Sequence, residues 1–193
     1  SMNVYKAAIS RRTIRKFKQK EIPISTLMKL VNSARMAPST ANLQPLEYII
    51  VKEKPLRAKI FDCVSWAGYI APEGNPGSGE KPVAYIVIIV DSGVVGLSKF
   101  ERDIGSSAEN IMLSAWEMGI GTCWMGAINR EKIAKVLKIP ASYHVDTVIA
   151  LGYKNEKPRA VPLKKDCKYW KGRDGELRVP KKSLKRIVHK DKF

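Results

Sequence analysis

The sequence predicts one domain in which helices and strands alternate without a fixed period. Two observations carry that expectation. Short β-branched runs bounded by turn residues recur between Glu47 and Gly152, and the stretches between them return apolar residues at helical spacing. No internal repeat or low-complexity segment breaks the alternation. A chain of 193 residues suits a single domain with a substantial core.

The elements follow in order. Val4–Arg11 reads as a short helix. A second helix begins at the cap Ser25, carries Leu27, Leu30, Val31 and Ala34 on one face, and stops before Pro38. Glu47–Lys52 reads as a strand and Pro55–Val64 as a helix. Ala71–Pro82 contains EGNPGSGEKP, a breaker-rich stretch expected to be an exposed, mobile loop. Val83–Val90 is a continuous apolar run suited to a strand covered on both faces. The longest helix spans Lys99–Met118, with Ile104, Ala108, Ile111 and Ala115 along one side and Gly105, Ser106, Ser107 and Ser114 permitting close approach. Thr122–Ala127 is a strand, Arg130–Leu137 a helix and Val145–Gly152 a strand. The stretch 162–193 is polar and basic. It has too few apolar residues for a core of its own, so it either docks on a surface or stays disordered.

Composition excludes several classes. A hydrophobic content of 45% with 27% charged residues is that of an ordinary globular protein. No apolar run approaches the ~20 residues a membrane helix needs, and no signal-peptide pattern opens the chain. Ser1, ahead of Met2, reads as a cloning remnant. Cys63, Cys123 and Cys167 are odd in number, far apart and outside CxxC spacing. That pattern points to a reducing cytoplasm, with no disulfide framework and no zinc site. The net charge is +17, and from Lys154 onward 15 Lys and Arg face 5 Asp and Glu. A solvated basic surface is the default reading of this charge, with attraction of small anions and nucleic-acid binding as competitors. Nucleic acid is the weakest of the three, because no RNA- or DNA-binding signature accompanies the charge.

Two segments stand out chemically. Arg11, Arg12, Thr13 and Arg15 fall in RRTIRKF. Guanidinium forks and a hydroxyl suit phosphate oxygens, and they equally suit a solvated helix end where cations meet the dipole. APSTANLQP (Ala37–Pro45) places Ser39, Thr40 and Asn42 between two prolines. It either presents polar groups to a ligand at low ordering cost or simply connects a helix to a strand. In GIGTCWMGAIN (Gly119–Asn129) the glycines precede a strand, so they fit a helix C-cap better than a phosphate loop. Trp124 and Met125 there fit either a core or the face of a flat ring. His144 and His189 stand apart from each other and from any cysteine. Asp103 and Glu109 read as cap and surface residues. With no nucleophile triad and no carboxylate pair, any difficult chemistry belongs to a cofactor, and no side chain is expected to be catalytic.

In combination these segments resemble the nitroreductase family of FMN-dependent flavoproteins. RRTIRKF, APSTANLQP, SSAENIMLSAWEMGIGTCWMGAIN, LGYKNEKP and VPKKSLKRIVH occur in the family's order. The resemblance implies an α+β fold, with a mixed, mainly antiparallel sheet flanked by helices. It implies a homodimer whose C-terminal segment crosses to the partner, so that 2–163 is an FMN-binding core and 164–193 an extension docked on the other subunit. It also implies FMN at the interface, with Arg11, Arg12 and Thr13 on phosphate and ribityl groups and Arg15 beside the N1/C2=O edge. Ser39, Thr40 and Asn42 would be supplied by the partner, Trp124, Met125 and Gly126 would line the cofactor, and Lys181 and Lys182 would close on the phosphate. Leu46 departs from the aromatic many members carry after Gln-Pro. The implied activity is ping-pong reduction of a nitroaromatic, quinone or flavin by NAD(P)H. A specialised relative such as a reductive dehalogenase, a non-catalytic flavin carrier and a nucleic-acid binder are the competing readings. The acceptor would be chosen by a lid over Trp66–Lys81.

Overall fold

The computed structural model describes residues 3–94 and 100–192. Ser1, Met2, Phe193 and the expected helix start at Lys99 lie outside the described residues. Helix α1 (Val4–Ser10) is capped by the Asn3 side chain and followed by a two-residue strand, β1 (Phe17–Lys18). Then come α2 (Ile24–Arg35), β2 (Leu46–Val51), α3 (Lys54–Phe61), β3 (Ala84–Asp91) and α4 (Glu101–Glu117). β4 (Ile120–Met125), α5 (Arg130–Leu137) and β5 (Tyr143–Lys154) complete the core.

The sheet is antiparallel throughout. β5 runs between β3 and β4, with Tyr85 opposite Ala150 on one side and Cys123 opposite Ala150 on the other. β2 flanks β3, and β1 pairs with the last residues of β5. Because side chains alternate across a strand, the sheet feeds two cores. Ile86, Ile88, Ile149 and Leu151 face α2 and α4, where Leu27, Leu30, Ala108 and Ile111 are buried. Tyr85, Val87, Val148 and Ala150 point the other way, toward Ile60 of α3 and Ile133 of α5. β3 is covered on both faces, as its unbroken apolar run requires. The result is the expected α+β architecture of helices packed on an antiparallel sheet.

Three readings shift. α2 begins at Ile24 behind Pro23 rather than at a Ser25 cap, since proline's fixed φ suits a helix entrance. The Ala71–Pro82 loop is largely exposed, as expected, but Gly74, Pro76 and Pro82 are buried and a short 3-10 turn, Ser78–Glu80, orders it. The C-terminal stretch forms a small sheet, in which β6 (Arg159–Pro162) lies parallel to β8 (Leu177–Lys181) and β7 (Trp170–Lys171) is antiparallel to β8. Gly175, at φ 73°, makes the turn into β8, and Leu177 is buried. Among the described residues no helix is long and apolar enough to cross a membrane.

Candidate functional site

The segment after α1 is inlaid on the end of the sheet. The Ile14 amide donates to the Thr122 carbonyl at 2.9 Å, and the Ile14 side chain is fully buried. A Cβ on Gly121 would stand 2.7 Å from it, and one on Gly152 would stand 2.7 Å from Phe17. Glycine at both positions therefore lets the segment lie close against β4 and β5. With Ile14 and Phe17 pointing inward, Arg11, Arg12, Thr13 and Arg15 are left half-buried along the outer side.

Each cation has a distinct environment. Arg11, its side chain 20% exposed, places Nε 3.5 Å from Oε1 of Glu109 on α4. Arg12 folds back on the carbonyls of Ile9 and Arg11. Burial, and then the neighbouring Arg11 charge, holds Arg12 below the usual guanidinium range. The Nε atoms of both arginines are buried without a hydrogen-bond partner. Two adjacent guanidiniums facing one carboxylate leave a local excess of positive charge, of the kind that suits an oxyanion. Arg15 donates its amide to Glu156 and lays its guanidinium over Tyr169, 4.8 Å from the ring centroid. Tyr169 in turn packs on Tyr69, with centroids 5.0 Å apart.

The 38–45 loop is fastened to the start of α4. Thr40 donates its amide and its hydroxyl to Asp103 at 2.9–3.1 Å, and Ser106 donates to the Pro38 carbonyl at 3.1 Å. Ala41, Asn42 and Gln44 all have positive φ. The loop is thus held in a conformation L-residues rarely adopt. Asp103 is only 4% exposed, so it is neither a solvent-facing cap nor a surface residue. Glu109, paired with Arg11, is likewise more than surface decoration. The Thr40 hydroxyl is committed to Asp103, while Asn42 is exposed.

On β4, Met125 is buried in the core and Trp124 is 44% exposed. Gly126 follows in open space, its carbonyl accepting from Arg130 at 3.2 Å. Lys181 and Lys182 are exposed at the end of β8. Among the described residues, no hydrogen bond or ion pair joins the 39–42 loop or these lysines to Arg11–Arg15. Within one chain the arginine segment is bonded to Thr122 of β4, and no hydrogen bond or ion pair among the described residues joins it to Trp124, Met125 or Gly126 either. Asp103, Glu156, Tyr69 and Tyr169 were not singled out as site residues from the sequence. Their partners lie far along the chain, 63 residues away for the Asp103–Thr40 pair, and no local pattern announces them.

The nitroreductase family model matches residues 8–153. A protein of Archaeoglobus fulgidus, provisionally named NADH dehydrogenase/NAD(P)H nitroreductase, is 32% identical over 162 residues, covering 79% of this chain and 86% of that one. A nitroreductase family protein from Clostridium novyi NT is 28% identical with a TM-score of 0.68, over 82% of this chain and 89% of the other. An FMN-dependent nitroreductase from Clostridium difficile R20291 is 26% identical with a TM-score of 0.67, over 97% and 98% of the two chains. The antiparallel sheet, the inlaid arginine segment and these matches agree, and the chain belongs to the nitroreductase family.

Proposed function

We propose that this chain is an FMN-dependent oxidoreductase that takes electrons from NAD(P)H and passes them to an electron-poor acceptor of the nitroaromatic, quinone or flavin type. The observation that carries the reading is the pair of adjacent, half-buried guanidiniums of Arg11 and Arg12, of which only Arg11 has a carboxylate nearby, Glu109 at 3.5 Å. These fit a phosphate dianion, whose oxygens accept from a guanidinium fork. Kinship with proteins named as FMN-dependent or NAD(P)H-dependent supports the choice of cofactor and donor.

When bound, FMN supplies two-electron hydride chemistry at its ring. The protein's residues supply position and charge. Arg11 and Arg12 would hold the phosphate, Thr13 would meet the ribityl chain, and Arg15 would supply positive charge to the reduced ring. Trp124, Met125 and Gly126 would border the ring, Met125 through its backbone, since its side chain is in the core. Ser39, Thr40 and Asn42 would reach the cofactor of the other protomer in a homodimer, and Lys181 and Lys182 would close on the phosphate. Exposed apolar residues on α1 (Val4, Tyr5, Ile9) and near the C-terminus (Leu184, Ile187, Val188) support that dimer, because a monomer rarely leaves such surface in water. Donor and acceptor would then bind in turn, a ping-pong sequence. Anaerobic mixing tests the proposal: the purified yellow protein should bleach with NADH or NADPH and recover its colour on adding a nitroaromatic or quinone. A protein that takes up no flavin, or whose flavin is inert to both nucleotides, overturns it.

A further inference from the structure

Among the arginines after α1, Arg15 has the least committed guanidinium. Arg11 has Glu109 nearby, and Arg12 donates to the carbonyls of Ile9 and Arg11. The Arg15 guanidinium makes no hydrogen bond or ion pair among the described residues. The carboxylate closest along its path, Glu156, is occupied by the backbone amides of Arg15 and Lys16. An aromatic ring holds the side chain instead: Cζ of Arg15 stands over Tyr169, 4.8 Å from the ring centroid.

Tyr169 is held in turn. Its ring packs on that of Tyr69, with centroids 5.0 Å apart and planes tilted by 58°, a favourable arrangement for two aromatics. Tyr69 lies on the short turn Gly68–Ile70. Two residues beyond Tyr169, Lys171 donates to the Glu73 carbonyl at 3.0 Å. The start of β7 is therefore tied to the 68–73 segment at two points, and both segments belong to the same chain as Arg15. A guanidinium over an aromatic ring spends none of its five N–H donors on that contact. Such a side chain is fixed in place with its donors still free.

We infer that Tyr169 is a positioning residue, which holds the Arg15 guanidinium ready for the flavin ring while Tyr69 and the Lys171–Glu73 bond hold Tyr169. The inference rests on the reading of Arg15 as the cation that serves the reduced ring. A cation stabilises developing negative charge best when it needs no reorganisation to meet it. A long side chain without an anchor would spread over its rotamers and lose that advantage. The ring of Tyr169 does this work rather than its hydroxyl, which has no hydrogen-bond partner among the described residues.

The full-length protein loaded with FMN supplies the first test. Tyr169→Leu should keep its flavin, since Arg11 and Arg12 are untouched, while its midpoint potential falls in the same direction as that of Arg15→Gln. Reduction by NADH or NADPH should slow about two- to fivefold, the weight of one cation–π contact. Tyr169→Phe, which keeps the ring, should restore both. Tyr69→Leu should give the same shift in smaller measure, and it tests the inference if Tyr169→Leu fails to fold. Arg15→Gln combined with Tyr169→Leu should be no worse than Arg15→Gln alone, because the tyrosine acts through the arginine. An unshifted potential in both leucine variants, a loss in Tyr169→Phe as large as in Tyr169→Leu, or additive losses in the double variant overturns the inference. NMR of the Arg15 Nε–H group, identified by its disappearance in Arg15→Gln, reads the contact without flavin. That signal should move in Tyr169→Leu and stay in Tyr169→Phe, and a signal indifferent to both overturns the inference as well. A chain that takes up no flavin but shows this response defeats the flavin reading and leaves Tyr169 as the anchor of Arg15.

Discussion

Arg11 and Arg12 are consecutive cations at the end of α1, each partly withdrawn from water. Such a pair is poorly satisfied by Glu109 alone, which reaches only Arg11 at 3.5 Å. Replacing Arg11 with Ala should weaken FMN binding about ten- to hundredfold, the equivalent of one charge-assisted contact worth ~1.5–3 kcal/mol. Titration of flavin into the apo-protein measures it, and an unaltered affinity removes Arg11 from the site. The backbone beneath these arginines depends on Gly121. An alanine there would bring a Cβ to 2.7 Å from Ile14, and Ile14 is fully buried with nowhere to retreat. Gly121→Ala should therefore cost ~1–3 kcal/mol of stability by overpacking, read as a lower denaturant midpoint, and should weaken flavin binding as the arginine segment shifts. Full stability in this variant would mean that the segment is not seated on β4 as described. RRTIRKF was legible as a cationic cluster, but the sequence left it open between a phosphate site and a solvated helix end. The half-burial that supports the phosphate proposal depends on two glycines more than a hundred residues further along the chain.

At the scale of elements, α4 organises the site. Asp103 in its first turn anchors the 38–45 loop, Glu109 meets Arg11, and Asn110 donates to the Ser33 carbonyl of α2 at 3.0 Å. Asp103 and Glu109 are six residues apart, a rise of only ~9 Å along the axis, so one helix aligns the loop and the arginines. Asp103→Ala should release Thr40, losing hydrogen bonds to a charged acceptor worth ~1.5–3 kcal/mol. Loops with positive φ at three positions do not hold themselves. Faster amide exchange at Thr40, with exchange in β3 unchanged, is the expected signature; protection retained at Thr40 would show that the loop is fixed by something else. The helix itself was readable, since Ile104, Ala108, Ile111 and Ala115 recur at its period and all are buried. Its polar side was not. A buried aspartate bonded across the fold has the same local sequence as an ordinary N-terminal acid. Strands were legible to within a residue or two where the apolar run was unbroken, as in β3. β6, β7 and β8 were missed, because two- to five-residue strands of mixed polarity carry no period-two pattern.

Across the whole molecule, the excess of positive charge and the C-terminal sheet belong together. The sheet contributes 15 of the chain's cations together with its flanks from Lys154 onward, yet it is held to the core by few contacts: Tyr169 between Arg15 and Tyr69, Lys171 on the Glu73 carbonyl, and the buried Leu177. Beyond β8, Leu184, Ile187 and Val188 project into solvent in the single chain. Apolar groups in that setting favour an interface, which is the physical basis for expecting the segment to lie on a partner subunit. Ending the chain after Asp166 removes β7 and β8, uncovers Tyr69 and Arg15, and takes away Lys181 and Lys182 with the exposed apolar residues. The truncated protein should run as a monomer by light scattering and should come off the column without flavin, since both the proposed interface and the proposed phosphate clamp are gone. The sheet core, built on β2–β5 and covered by α2–α5, should still melt cooperatively, because among the described residues only Leu177 and Pro180 are buried beyond Gly152. Cooperative melting with the dimer and the flavin both retained would place the interface and the clamp elsewhere on the chain. Loss of cooperative melting would instead make the C-terminal sheet a structural part of the monomer, as its contacts with Arg15 and Tyr69 allow.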